Sequence, residues 1–122
     1  MSVSNGRFFR YRVLWADSAF DGRGWDHRKS YRTVAAVHRH DADDGAIYDV
    51  GFSFCAPPDE KKYKKSLGRT IATGRLNSGR SIRVTASDVR EYGGVFDAAF
   101  CAALRLETRP SWLPQNLWGL RR

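Results

Sequence analysis

CAPPDEKKYKKSLGRTIATGRLNSGR, residues 55–80, holds the helix that decides what the rest of the chain must build. Pro57-Pro58 ends whatever strand precedes it, and Asp59-Glu60 place negative charge where a helix macrodipole favours it. From there the spacing predicts a helix over 59–74. On a helical wheel Tyr63, Leu67, Thr70, Ile71 and Gly74 form one narrow face at i, i+4, i+7, i+8 and i+11. That face is the expected cover for a sheet. The opposite arc carries Lys61, Lys62, Lys64, Lys65, Arg69 and Arg75, with Gly68 and Ala72 leaving its middle flat. With Arg80, the stretch sets seven positive charges against two negative.

Outward from this helix, the flanking segments read as strands. In FFRYRVLWA (8–16), Phe9, Tyr11, Val13 and Trp15 point one way and Arg10 and Arg12 the other, as in a half-buried antiparallel strand. A loop follows, DSAFDGRGWDHRKS, with Arg23, Arg28 and Lys29. Its length suits a functional loop, and Phe20 and Trp25 are candidates to pin it or to stack on a ligand. YRTVAAVHRH (31–40) and AIYDVGFSFC (46–55) read as two strands joined by DADDG, whose Asp and Gly tolerate turn conformations. Beyond the helix, SIRVTA (81–86) predicts a fourth strand, and Thr85 with Asp88 has the spacing of a capping box. Gly93-Gly94 separates a short turn at 87–92 from a second helix at 95–107, where Val95, Phe96, Ala99, Phe100, Ala103 and Leu104 keep helical rhythm. The tail RPSWLPQNLWGLRR (109–122) is irregular and has apolar anchors that would pack on the body or on a partner.

The expected fold is α+β: a three- to four-stranded antiparallel sheet with two helices packed on one face. With 122 residues, 1–122 reads as a single basic domain. The 42% hydrophobic and 13% aromatic content argues against disorder. The net charge of +8 and pI near 10.0 favour polyanions, either nucleic acid or an acidic protein face. Cys55 and Cys101 lack the spacing of a zinc motif or a disulfide framework. The opening residues lack a signal h-region, and no run has the length of a membrane span, so a cytoplasmic protein without membrane contact is expected.

Three constellations could carry chemistry. Lys61, Lys62, Lys64, Lys65, Arg69 and Arg75 could neutralise successive phosphates of DNA or RNA, with Arg10 and Arg12 extending the surface if they share its side. A charge run is also what a solvated helix face looks like. His38, His40 and Asp41, followed by Asp43 and Asp44, have metal-ligand types, and the alternative is a polar hairpin end. Trp112 and Trp118 are hot-spot candidates for a protein partner. No nucleophile elbow or phosphate loop is present, and no cofactor is expected.

The string Tyr63-Lys64-Lys65-Ser66-Leu67-Gly68-Arg69-Thr70-Ile71-Ala72-Thr73-Gly74-Arg75-Leu76 resembles a signature of small bacteriophage and prophage proteins, an aromatic-basic helix with K-K-x-x-G-R-x-I-A-x-G-R-L. In that pattern the approach from the preceding Cys and Pro is slightly shorter. The resemblance implies a phage origin, hence the cytoplasm of an infected or lysogenic bacterial host, and it assigns no site residue. Phage proteins of this size are often nucleic-acid-binding accessory factors or inhibitors of host defence, including anti-CRISPR proteins. The expectation is a non-enzymatic nucleic-acid-binding protein. The alternatives are an inhibitor that docks a host protein and a metal-dependent nuclease. An exposed strand edge would also allow a homodimer.

Overall fold

The computed structural model describes residues 6–17, 28–55 and 64–118. Four strands, β1 (Gly6–Asp17), β2 (Arg28–Ala42), β3 (Gly45–Cys55) and β4 (Ile82–Thr85), form one antiparallel sheet in the order β1-β2-β3-β4. Helices α1 (Lys65–Asn77), α2 (Ala86–Tyr92), α3 (Val95–Leu104) and the short α4 (Gln115–Trp118) complete it. The α+β class and the antiparallel sheet stand as the sequence predicts. The strands are longer than expected: β2 takes in Arg28 and Lys29, and β1 reaches Asp17. The loop aromatics Phe20 and Trp25, like Arg23, lie outside the described residues.

The two main helices do not share a face. In β2 the run Val34-Ala35-Ala36-Val37 is buried throughout, so the centre of the sheet needs cover on both sides. Ala35 and Val37 point with Val50, Phe52, Ile82 and Val84 into the larger core, under α3 and the C-terminal segment. Val34 and Ala36 point the other way, with Phe9, and meet Ala72 and Leu76 of α1. The sheet is therefore the middle of three layers, and the expectation of two helices on one face is corrected by β2 being apolar on both.

The larger core is built around Phe52. Its ring lies edge-on to Phe96 at 5.4 Å and stacks on Trp112 at 5.9 Å. Trp112 is also parallel to Phe54 at 6.3 Å. Leu113 and Leu117 are fully buried, and the Asn116 amide donates to the Tyr31 hydroxyl at 3.1 Å. The tail's described part is thus a piece of the core. Ahead of it, the Thr85 hydroxyl accepts the Asp88 N–H at 3.2 Å while the Asp88 carboxylate accepts the Thr85 N–H at 3.0 Å, which starts α2 as the capping box predicts. Gly93, with φ of 79°, ends α2 in the left-handed region before α3 begins.

The contact of α1 with the sheet is close enough to exclude a side chain at Gly51. A Cβ placed on Gly51 would sit 2.4 Å from the Ala72 carbonyl oxygen and 2.6 Å from the Leu76 nitrogen. Helix backbone rests directly on strand backbone there. The residues that allow this are Gly68, Ala72 and Leu76, the buried positions of α1 at i, i+4 and i+8. The seam expected to cover the sheet faces outward instead: Leu67 is 55% exposed and Ile71 38%. Small residues win because the backbone approach they permit gains dispersion contact along the whole helix. The helix also starts late. Lys64 is extended and the first turn contains no acid, so Asp59-Glu60 do not sit in it.

Candidate nucleic-acid interface

Strand alternation sorts the cations. The register pairs Tyr11 with Val34 and Val13 with Arg32 on the face that α1 covers in part, and Arg12 with Thr33 on the other. Arg10 and Arg12 therefore lie on the opposite side of the sheet from α1. There, Arg12 Nη1 is 2.6 Å from Asp97 Oδ1 and its guanidinium lies over the Phe96 ring at 4.7 Å. Arg10 lies over Phe8 at 4.5 Å and donates to the Phe9 carbonyl at 3.1 Å. Both serve the sheet itself. They do not extend the surface of α1.

On α1, Lys64 and Lys65 are exposed and Arg69 is half-buried; Lys61 and Lys62 lie outside the described residues. Lys65 Nζ stands 4.7 Å from the centre of the Tyr11 ring, and Arg69 Nη1 donates to the Tyr11 hydroxyl at 3.0 Å. Arg75 has a different task. It reaches the Phe52 carbonyl at 2.7 Å, on the edge of β3 that β4, which pairs only from Ile47 to Val50, leaves open. Burial, helped by the nearby Arg80, pushes its guanidinium pKa below the ordinary value.

What the structure adds is the edge strand. Tyr11, Val13 and Trp15 are 39%, 46% and 58% exposed on the α1 face of β1, in a row with Arg7 and beside Arg32. Two-residue steps along a strand are about 7 Å, so Tyr11 and Trp15 stand about 13 Å apart. Beside Tyr11 and Val13 is a shallow depression of about 200 Å³, lined by Tyr11, Arg12, Val13, Arg32, Thr33 and Lys65. The alternation that predicted this row also suggested a buried one; only the position of α1, over β2 and β3, leaves it open. The result is an aromatic floor with a cationic wall.

The His38, His40 and Asp41 set is separated by the same alternation. Asp41 lies on the other face, 3.4 Å from Arg39. His38 and His40 remain together, with ring centroids 5.6 Å apart, and His40 Nε2 is 3.2 Å from Asp49 Oδ2. Asp49 also accepts both Nε and Nη2 of Arg83, at 2.8 and 3.2 Å. The Arg83 hydrogen bonds are the main reason its carboxyl is held below the usual range, against the opposing effect of burial. Among the described residues no three His, Cys, Asp or Glu side chains converge as a metal site would require. The Asp49 partner was readable from the hairpin: a two-residue turn at Asp43-Asp44 puts Asp49 opposite His38.

Trp112 and Trp118 are half-buried against the core rather than displayed on the surface. No helix among the described residues is long and apolar enough to cross a membrane. No protein-family model, curated protein or solved structure matches the chain.

Proposed function

We propose that the chain is a non-enzymatic nucleic-acid-binding protein that takes single strands along the α1 face of β1. The observation that supports this reading is the Tyr11, Val13 and Trp15 row, exposed beside Lys64, Lys65, Arg69 and Arg32. Unpaired bases stack on aromatic rings whatever their identity, and flanking cations follow the phosphates. A duplex keeps its bases inside and cannot use the floor, so preference for single strands is the signature. The phage setting suggested by the α1 motif is compatible with such an accessory factor.

The test is binding of labelled single- and double-stranded DNA and RNA across a salt series. Single strands bind more tightly than duplexes, and Tyr11→Ala/Trp15→Ala weakens them by about 30-fold or more, since each of the two stacked bases contributes about 1–3 kcal/mol. Lys64→Ala/Lys65→Ala flattens the slope of log K against log salt by about 1.4, at about 0.7 per phosphate neutralised. Absence of binding at low salt, or equal loss for duplex and single strand in the aromatic variant, would sink the proposal.

A specific observation favours one second reading. Leu67 and Ile71, apolar and exposed among cations on the outer surface of α1, would suit a host protein with an acidic, apolar face, as an anti-CRISPR-like inhibitor requires. In that case Leu67→Lys abolishes a stoichiometric protein complex and leaves oligonucleotide binding intact.

A further inference from the structure

β1 is the edge strand, twelve residues long and paired on one side with β2. Its sequence has no proline between Arg7 and Asp17 to interrupt pairing, and its charges Arg10 and Arg12 lie on the face opposite Tyr11, Val13 and Trp15. The phase of its hydrogen bonds follows from two contacts. The Phe52 carbonyl turns away from β2 to meet Arg75, so its partner Ala35 turns its own groups towards β1 and bonds Arg10. The even residues of β1 thus face β2, and the odd ones face outward. The Phe9 carbonyl agrees, since it accepts the Arg10 guanidinium at the outer edge. The N–H and C=O groups of Tyr11, Val13 and Trp15 therefore point along the rim.

We propose that this rim pairs with the same strand of a second copy, antiparallel about a two-fold axis at Val13. The charge pattern disfavours the registers centred nearer the arginines, and the Val13 axis pairs the aromatics. An axis at Tyr11 would set Arg10 of one copy against Arg12 of the other, and an axis at Arg12 would set that residue against itself; like charges directly opposite destabilise a pair. With the axis at Val13, Arg12 faces Leu14 and Tyr11 faces Trp15, an aromatic pair on each side of a Val13–Val13 centre. All three outward-pointing residues then exchange backbone hydrogen bonds. The joined sheet has eight strands and no free β1 edge, and the two aromatic rows become one floor between two copies of α1. Neither the premise nor the test involves nucleic acid, so this association stands or falls apart from the binding reading.

Sedimentation of the full chain, free of nucleic acid and across a concentration series, tests it. The apparent mass rises from 13.9 kDa towards twice that value with concentration. Added salt favours the dimer, because two chains of charge +8 repel, and this is opposite to the salt effect on phosphate binding. Val13→Pro removes an N–H that points outward and takes no ladder bond from β2, so it keeps the fold and leaves a monomer. Val13→Lys sets two ammonium groups across the axis and weakens the dimer at least about tenfold. A wild type that stays monomeric at every concentration and salt overturns the proposal. So does a folded Val13→Pro or Val13→Lys variant that dimerises like wild type.

Discussion

Gly51→Ala isolates the contact that sets the orientation of α1. The new methyl carbon would lie 2.4 Å from the Ala72 carbonyl oxygen and 2.6 Å from the Leu76 nitrogen. Both obstacles are backbone atoms in the middle of a helix, so no rotamer change relieves them. Helix and strand must separate by about 1 Å along this line to restore ordinary contact, which loosens Val34, Ala36, Ala72 and Leu76 together. Overpacking of this kind costs about 2–3 kcal/mol, or a fall in Tm of about 8–15 °C for a chain of this size. Urea and thermal unfolding by circular dichroism measure it. The companion variant is Leu67→Lys/Ile71→Lys, which changes two outward-facing side chains and shifts stability by less than about 1 kcal/mol. A helix seated on its Leu67 seam would reverse both results: Gly51→Ala would be harmless, and the double lysine variant would lose several kcal/mol, as burial of charge in a core does. Either reversal refutes the orientation described above.

Two further substitutions probe other joints of the fold. Thr85→Ala removes the acceptor of the Asp88 N–H and destabilises by about 1 kcal/mol in urea titration. Asp49→Asn tests the carboxylate held by Arg83. Its folded pKa lies below the unfolded value, so the stabilisation is present above the ordinary carboxylate range and is lost as pH falls through the folded pKa. Wild type is therefore more stable than Asp49→Asn at neutral pH, and the difference in urea midpoints begins to close as pH falls below the ordinary carboxyl value of 3.8. A gap independent of pH would mean that the pair contributes by packing alone.

The strands were legible because period-two alternation is a direct consequence of backbone geometry, and Thr85 with Asp88 was legible because a capping box is local. Side chains that share a strand face could also be read, as with Tyr11, Val13 and Trp15. Two things could not. A wheel ranks residues by apolarity, and on α1 it selected Leu67 and Ile71 over Gly68 and Ala72. Ala72 is buried where Gly51 lies opposite, about twenty positions earlier in the chain, and no local pattern contains that pairing. The face taken by each arginine was hidden for a similar reason. Arg10 and Arg12 were rightly set against Tyr11, but which side α1 would occupy depended on β2 being apolar on both faces. The Val34–Val37 run carried that signal: four consecutive apolar residues in a strand require two layers of cover.

The small-residue contact also bears on how the proposed interface is held. Lys65 and Arg69 reach Tyr11 only because α1, seated over β2 and β3, lies low enough for side chains of their length to cross to the neighbouring strand. A helix packed through Leu67 and Ile71 would stand higher by the depth of those side chains and would turn Lys65 and Arg69 away from β1. Glycine and alanine at the joint thus fix both the height and the rotation of the cationic wall above the aromatic floor. Gly51→Ala, which lifts the helix, should therefore weaken single-stranded binding at temperatures where the variant is still fully folded. If binding survives the lifted helix unchanged, the wall does not need its contact with Tyr11, and the lysines act as a diffuse positive field rather than as placed phosphate contacts.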